Sequence, residues 1–359
     1  MDFPLNFKGT KVLITGHTGF KGSWLTLWLL RLGAKIIGYS LPPDTKPSLF
    51  ELLNLKREIV HIEEDIRNYK YLEGVFQKFA PEIVFHLAAQ PLVKRSYLEP
   101  RLTYETNVMG TLNVLEAIRK TESVRVCIVV TSDKCYENKE WIYGYREKDP
   151  LGGDDPYSSS KACAEILTQA YRKSFFSSTN LRKTHQVVVA TVRAGNVMGG
   201  GDWQEDRLIP DCIRALSQRK PIVLRNPEAI RPWQHVLEPL YGYLLLAHKA
   251  LLSENPSLYA QAWNFGPFER DQAKVREVVE RIIKLWGGGE YQILDNPPFY
   301  EAKILRLDIS KALIELGWKP KWDLKITLEK TINWYKTFYE GLRNMRKLTE
   351  TQIEEYEKG

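Results

Sequence analysis

No stretch of 18 consecutive apolar residues occurs among the 359 residues, which excludes a helical membrane span. The opening Met1-Asp2-Phe3-Pro4 lacks a basic segment followed by an apolar core, so no secretory signal is expected and the cytoplasm is the expected location. Cysteine is scarce. Cys127, Cys135, Cys163 and Cys212 show no Cys-x-x-Cys spacing, which argues against a disulfide framework and for thiols in a reducing compartment. The six histidines do not gather beside them, so no metal site is expected. Blocks of five or six like charges are also missing. A net charge of +7 and a pI near 9.0 suit an anionic ligand, but dispersed charge is not the stripe of a nucleic-acid binder. Neither nucleic acid nor membrane is therefore expected as a partner. There is no internal repeat and no low-complexity linker to separate domains.

What is present is β-α alternation. Apolar runs at 11–15, 35–39, 59–62, 83–87, 124–130 and 186–192 read as buried strands, and most are followed by helical patterns (23–32, 68–79, 104–118 and from Asp155 onward). This predicts an α/β fold with a doubly wound, parallel Rossmann-type sheet. After 192 the alternation breaks into glycine-rich loops, helices at 206–218, 237–252, 272–285 and 324–342, and short strands. A smaller α/β domain interleaved with the first is expected: 1–192 with 234–265 for a dinucleotide, and 193–233 with 266–345 for a substrate. The polar end, 343–359, reads as frayed.

The first strand runs into Gly16-His17-Thr18-Gly19-Phe20-Lys21-Gly22 and then a helix. Strand, glycine turn and helix together point to a dinucleotide site, with the pyrophosphate on the helix N-terminus. The second strand ends without the acidic residue expected for an adenosine ribose, which leaves NAD against NADP open on physical grounds. Asp65 reads as an acceptor for the adenine amine or as the cap of helix 68–79. Ala88 and Ala89 after the fourth strand permit close approach of a cofactor, and Asn107 inside a helix suits either a buried polar role or the surface.

The fifth strand stops at Thr131-Ser132-Asp133-Lys134, delivering hydroxyl, carboxylate and amine where ligands of open α/β sheets sit. Asp155 and Pro156 then open a helix that carries Tyr157 and Lys161 on one face. With 18 tyrosines about one Tyr-x-x-x-Lys arises by chance; its place after Ser-Asp-Lys is what makes this one informative. A phenol is a poor base at neutral pH, and the Lys161 ammonium is expected to favour phenolate, with Ser132 sharing the hydrogen bond to a substrate oxygen. Arg231 and Trp233 in one loop suit phosphate contact and stacking, or a solvated arginine beside a packed tryptophan. His235 reads as a core residue.

These residues resemble the extended short-chain dehydrogenase/reductase family, and within it the nucleotide-sugar 4,6-dehydratases. The carriers are Thr15 to Gly22, Asp65, Ala88-Ala89, Asn107, Thr131 to Tyr136, Tyr157-x-x-x-Lys161, Arg193 to Val197, Gly200 to Trp203, Arg231 to Val236 and Trp263 to Pro267. The resemblance implies NAD as cofactor, held by Gly16, His17, Thr18, Gly19, Phe20, Gly22, Asp65, Ile66, Leu87, Ala88, Ala89, Asn107, Tyr157 and Lys161. It implies CDP-glucose as substrate, held by Asn196, Arg207 and Arg231, and catalysis by Ser132, Asp133, Lys134, Tyr157 and Lys161. It further implies loss of water from C5–C6 after oxidation at C4, on the way to deoxysugars of bacterial surface polysaccharide. A homodimer or homotetramer paired through the helices of Asn107 and Tyr157 is implied as well. Two other readings stay open here: a 4-epimerase, which needs no Asp133-Lys134 pair, and an NAD-binding regulator, which needs none of the reactive side chains. Related dTDP- and GDP-sugar dehydratases place a glutamate where this chain has Lys134, so the C5 base is in question.

Overall fold

The computed structural model describes residues 4–177, 185–294, 304–341 and 344–359. Strands β1 (Lys11–Thr15), β2 (Lys35–Ser40), β3 (Val60–Glu63), β4 (Ile83–His86), β5 (Val126–Val130) and β6 (Val188–Ala194) arise from the apolar runs. They are followed by the short β7 (Val197–Met198), β8 (Ile222–Leu224), β9 (Ile230–Arg231), β10 (Gln234–His235), β11 (Ala262–Phe265), β12 (Ala273–Lys274) and β13 (Tyr291–Ile293). Seven form one sheet in the order β11-β6-β5-β4-β1-β2-β3, and every pairing in it is parallel. Side chains alternate between two cores. Val12 and Ile14 of β1, with Val126 and Ile128 of β5, enter one; Leu13, Cys127 and Val129 enter the other. A sheet buried on both faces explains strands that read as continuous apolar runs.

The chain leaves β1 toward β2 and β3, then returns to place β4 on the other side of β1. The reversal puts a crevice at the carboxyl ends of β1 and β4, where ligands of such sheets bind. The remaining short strands pair as β7 with β10, β8 with β13 and β9 with β12, and residues of β7, β8 and β9 line the far wall of that crevice.

A buried ion pair fixes the wall on the near side. Glu165, in the helix Pro156–Ser174, meets Arg193 of β6 at 2.8 Å, with both side chains 3% exposed. The same carboxylate accepts from the hydroxyls of Thr131 (2.5 Å) and Thr191 (2.8 Å). Its usual carboxylate pKa is lowered although burial opposes this, because Arg193 and the two threonines favour the charge.

Several expected boundaries move. The first helix starts at Phe20 rather than 23. The helix expected over 104–118 is interrupted by a π turn, Glu105–Met109, before Gly110–Arg119. Asn107 lies in that turn, where the widened backbone turns its amide inward; it is 2% exposed, so its role is the buried polar one. Asn68, not Asp65, caps the helix Tyr69–Phe79, its side chain accepting from the Tyr71 amide.

The expectation of a frayed end is wrong: Met345–Lys358 is a helix. Asn344 caps it by accepting from the amides of Arg346 and Lys347. Met345, Thr349, Gln352, Ile353 and Tyr356 form one buried stripe at helical spacing, mixed enough in polarity to escape a hydrophobic reading. The Tyr356 hydroxyl donates to Glu238 at 2.6 Å, and Glu238 also accepts from the amides of Lys321 and Trp322. Burial pushes the Glu238 carboxyl up to about 7, against the pull of those donors.

An unfolded glutamate loses its proton near pH 4.5, whereas folded Glu238 keeps it to about pH 7. The stabilisation is therefore complete below the lower value and is lost as pH rises through the higher one. Relative to Glu238→Gln, the wild type is expected to lose roughly 3 kcal/mol between pH 4.5 and pH 8, read from paired urea unfolding curves. A difference that stays constant with pH removes Glu238 as the titrating group.

Candidate functional site

β1 ends at Thr15, and the chain turns through Gly16 with φ +74°. A Cβ on Gly16 would meet the Ala88 amide nitrogen at 2.8 Å, and one on Gly22 would meet the Gly16 carbonyl oxygen at 2.1 Å. Both glycines are thus required by close approach: they press the helix Phe20–Arg31 against the seam of β1 and β4. Gly19 is the N-cap, offers no side-chain acceptor, and the first turn holds no acidic residue. The orphan amides of that turn open on a cavity of about 960 Å³ lined by Gly16, Thr18, Gly19, Phe20, Lys21 and Gly22. An anionic diphosphate fits such a cradle.

The expected cofactor residues divide. Leu87, Ala88, Ala89, Asp65 and Ile66 line the same cavity. Thr18 shares a hydrogen bond with Ser40 (2.8 Å) and donates to the Leu41 carbonyl at the end of β2, where the cavity is lined by these residues and not by an acid. Asp65 takes the Arg67 guanidinium at 2.6 Å, which holds its carboxyl below the usual range. Two expected residues do not line the cavity. The His17 ring is buried beneath β2: its Nε2 lies 2.7 Å from Nδ1 of His61, and a Cβ on Gly38 would strike the ring at 2.5 Å. Burial keeps it neutral, pushing its pKa down to about 3. Asn107 acts from behind. Its Oδ1 accepts from the Gln90 amide at 2.8 Å, and its Nδ2 donates to the Gln90 carbonyl and to Ser160, tying the β4 loop to the helix of Tyr157.

Across the cavity, β5 leads into a short 3₁₀ turn, Asp133–Cys135, capped by Ser132. The Ser132 hydroxyl donates to Asp133 Oδ1 at 3.1 Å and accepts from the Lys134 amide. Asp133 is 3% exposed, and its Oδ2 is buried with no partner among the described residues. Burial raises its pKa, although Lys134, Ser132, Arg231 and Lys21 all pull the other way. This carboxyl is therefore inclined to hold a proton with an open oxygen beside it.

Asp155 caps the next helix as the sequence suggests, accepting from the Ser158 amide. Tyr157 and Lys161 then face the cavity with Ser132, and Lys134 Nζ lies 6.0 Å from the centre of the Tyr157 ring. The phenolate expectation needs correction. Burial pushes the Tyr157 phenol up to about 12, with Ser132 opposing it, and Lys161 does not reverse this. The Lys161 ammonium donates instead to the Val130 carbonyl at 3.2 Å, and burial brings it down to about 8.

Asn196, Arg207 and Arg231 all line the far wall. Arg207 is fixed by Asp202 at 2.8 Å. Trp233 belongs to the core: it is 3% exposed, and its indole donates to the Ala273 carbonyl. It also borders the cavity beside Arg231. His235 is fully buried, as expected of a core residue. Sequence reading missed the Lys21 side chain, which also lines the cavity. A lysine in a first helical turn, at the positive end of the dipole, was the available signal.

The family model for GDP-mannose 4,6 dehydratase matches residues 13–331. The chain is 47% identical over 352 residues to CDP-glucose 4,6-dehydratase of Salmonella typhimurium, covering 98% of this chain and 97% of the relative. It is 25% identical to UDP-glucuronate 4-epimerase of Thermodesulfobacterium geofontis, over 93% of this chain and 98% of the other. In three dimensions it is similar to dTDP-glucose 4,6-dehydratase of Streptomyces venezuelae, with a TM-score of 0.79 at 20% identity, covering 94% and 100% of the two chains. Matched over most of its length by the model, and nearly half identical end to end to one relative, the chain belongs to the GDP-mannose 4,6 dehydratase family.

Proposed function

We propose that this chain is a CDP-glucose 4,6-dehydratase, an NAD-dependent lyase that converts CDP-D-glucose to CDP-4-dehydro-6-deoxy-D-glucose and water. The near-full-length similarity to the Salmonella enzyme supports the substrate. One observation carries the reaction class: the buried Asp133, with a raised pKa and an unpartnered oxygen, lies in the same cavity as Tyr157 and Ser132. A 4-epimerase has no water to expel and no use for an acid there.

A bound NAD would supply the acceptor for the hydrogen removed at C4 and the donor for its return at C6. The open amides after Gly19 hold its diphosphate, and Lys161 holds its nicotinamide ribose. Asn196 and Arg231 bind the sugar and the substrate diphosphate, with Arg207 beside them, in the unit 193–233 with 266–345. Ser132 and Tyr157 orient the C4 hydroxyl, and Tyr157 would take its proton as phenolate, once the positive charge of a bound cofactor offsets the burial that raises its pKa. The C4 ketone acidifies H5, Lys134 removes it, and Asp133 protonates the departing O6. Pairing of two copies through the continuous helical stretch 100–119, which holds Asn107, and the helix Pro156–Ser174 with its C-cap Phe175 fits the exposed Tyr104, Met109, Ile166 and Phe175; a single monomeric species in sedimentation velocity removes that pairing.

Incubation with CDP-, dTDP-, UDP- and GDP-glucose, followed by mass spectrometry, is expected to show loss of one water from the CDP sugar. An isomer of unchanged mass indicates the epimerase instead. Tyr157→Phe should still bind NAD and lose about 10²–10⁴-fold in turnover; near-normal activity refutes its role. For Lys134→Met, single turnover in D₂O should stop with NADH and the 4-keto sugar accumulated and no deuterium at C5. Exchange of H5 at the wild-type rate means that another group is the base.

A further inference from the structure

The cavity is longer than the groups assigned to it so far. The glycine turn and the ends of β2, β3 and β4 take the cofactor, Ser132 and Tyr157 take the sugar, and Arg231 takes the substrate diphosphate. One end is left unassigned, lined by Leu208, Asp211, Val223, Arg225, Val275 and Leu305. The nucleoside of a nucleotide sugar belongs there, because it hangs on the far side of the diphosphate from the sugar. Leu208, Val223, Val275 and Leu305 offer apolar surface to the flat faces of a base. The edge of a base, which tells one base from another, needs a polar partner.

Asp211 is such a partner. It lies one turn after Arg207 in the helix Leu208–Ser217, and that helix packs against β8. Its Oδ1 takes the Arg214 guanidinium at 2.6 Å, and Arg214 also donates to the Trp203 carbonyl, so the carboxyl group is held in place. Among the described residues no hydrogen bond or ion pair ends on Oδ2. The side chain is 43% exposed, which leaves a ligand room to reach that oxygen. Burial is the largest influence on its pKa and raises it; Arg214 opposes this, Asp206 adds to it and Arg225 works against it. Paired with a guanidinium at 2.6 Å it works as a carboxylate, which accepts hydrogen bonds and donates none.

We propose that Asp211 selects the nucleobase by accepting from the exocyclic amine of cytosine. Cytosine carries an N–H donor at ring position 4, where uracil and thymine carry a carbonyl oxygen. Facing the carboxylate, the amine gains a charge-assisted hydrogen bond, whereas the carbonyl meets a like charge with no proton between them. Arg225, a donor paired with Asp206 at 3.7 Å, suits the ring oxygen at position 2. All three pyrimidines carry that oxygen, so Arg225 holds the ring and leaves the choice to Asp211. The inference rests on the CDP-glucose reading and deepens it.

CDP-glucose and UDP-glucose differ only on the edge of the base, so the pair isolates this contact. Water loss from each is followed by mass spectrometry, and binding of CDP and UDP by calorimetry, for wild type, Asp211→Asn and Asp211→Leu. Wild type is expected to prefer the cytosine form. The amide of Asp211→Asn presents an acceptor or a donor by rotation. It should lower the CDP-to-UDP ratio of kcat/KM roughly 10–100-fold, the range for one hydrogen bond to a charged group. The loss on CDP-glucose should fall on KM, with kcat near wild type, because the reacting carbons are remote. Asp211→Leu should weaken CDP more than UDP. A ratio unchanged in both variants, in a wild type that favours CDP-glucose, overturns the proposal and leaves the substrate reading standing. Equal losses on both sugars also overturn it, since they mark a structural role for the pair with Arg214. Wild type that dehydrates neither sugar refutes the substrate reading, and the CDP-to-UDP binding ratio then still decides on Asp211. Preference of the wild type for UDP-glucose overturns both.

Discussion

The Glu165 carboxylate is the point on which the active wall depends. It accepts from Thr131 at the end of β5, from Thr191 in β6, and twice from Arg193. Arg193 in turn donates to the Tyr136 hydroxyl and the Glu147 carbonyl, and Tyr136 donates to Asn264 of β11. Asn264 then donates to the carbonyls of Tyr145 and Asp308. One buried charge pair therefore fixes both ends of the segment carrying Ser132, Asp133 and Lys134, and ties it to the helix of Tyr157 and to the outermost strand. A buried pair contributes little net stability against an apolar substitute, but its geometry is demanding. What it secures here is the register of the turn after β5.

That turn works in a site rich in cations. Lys21, Lys134, Lys161, Arg207 and Arg231 share one cavity. Such a field suits two diphosphates, and it also acts on the groups that move protons. Asp133 shows which effect wins: four positively charged or hydrogen-bonding neighbours favour its charged form, yet burial outweighs them. Desolvation is likewise the leading influence on Tyr157 and Lys161. The site thus holds a carboxylic acid and a phenol that hold their protons more tightly than free ones, and a lysine that gives its proton up more readily than a free one. It is set for proton exchange by the absence of water more than by any single charge partner.

The glycine turn, the strand ends, the Asp155 cap and the Tyr157–Lys161 face were legible because each depends on local rules. A β-branched run makes a buried strand, a glycine permits φ +74°, and an aspartate accepts from the amide three residues on. Misreadings occurred where a distant neighbour decided. His17 stands in the glycine motif, but a gap at Gly38 draws its ring under β2. The helix Met345–Lys358 looks like a polar tail until Glu238, more than a hundred residues away, gives Tyr356 a buried acceptor.

By itself the sequence determined the sheet, its crevice and most of the side chains that arrive there, since hydrophobic period and turn chemistry are properties of neighbouring residues. Tertiary structure alone decided the direction in which Asp133, Tyr157 and Lys161 depart from their ordinary pKa values, the retreat of His17 and Asn107 behind the cavity wall, and the place of Lys21 within it. These depend on how much water and which charges surround a side chain after folding, and segments remote in the chain supply that environment.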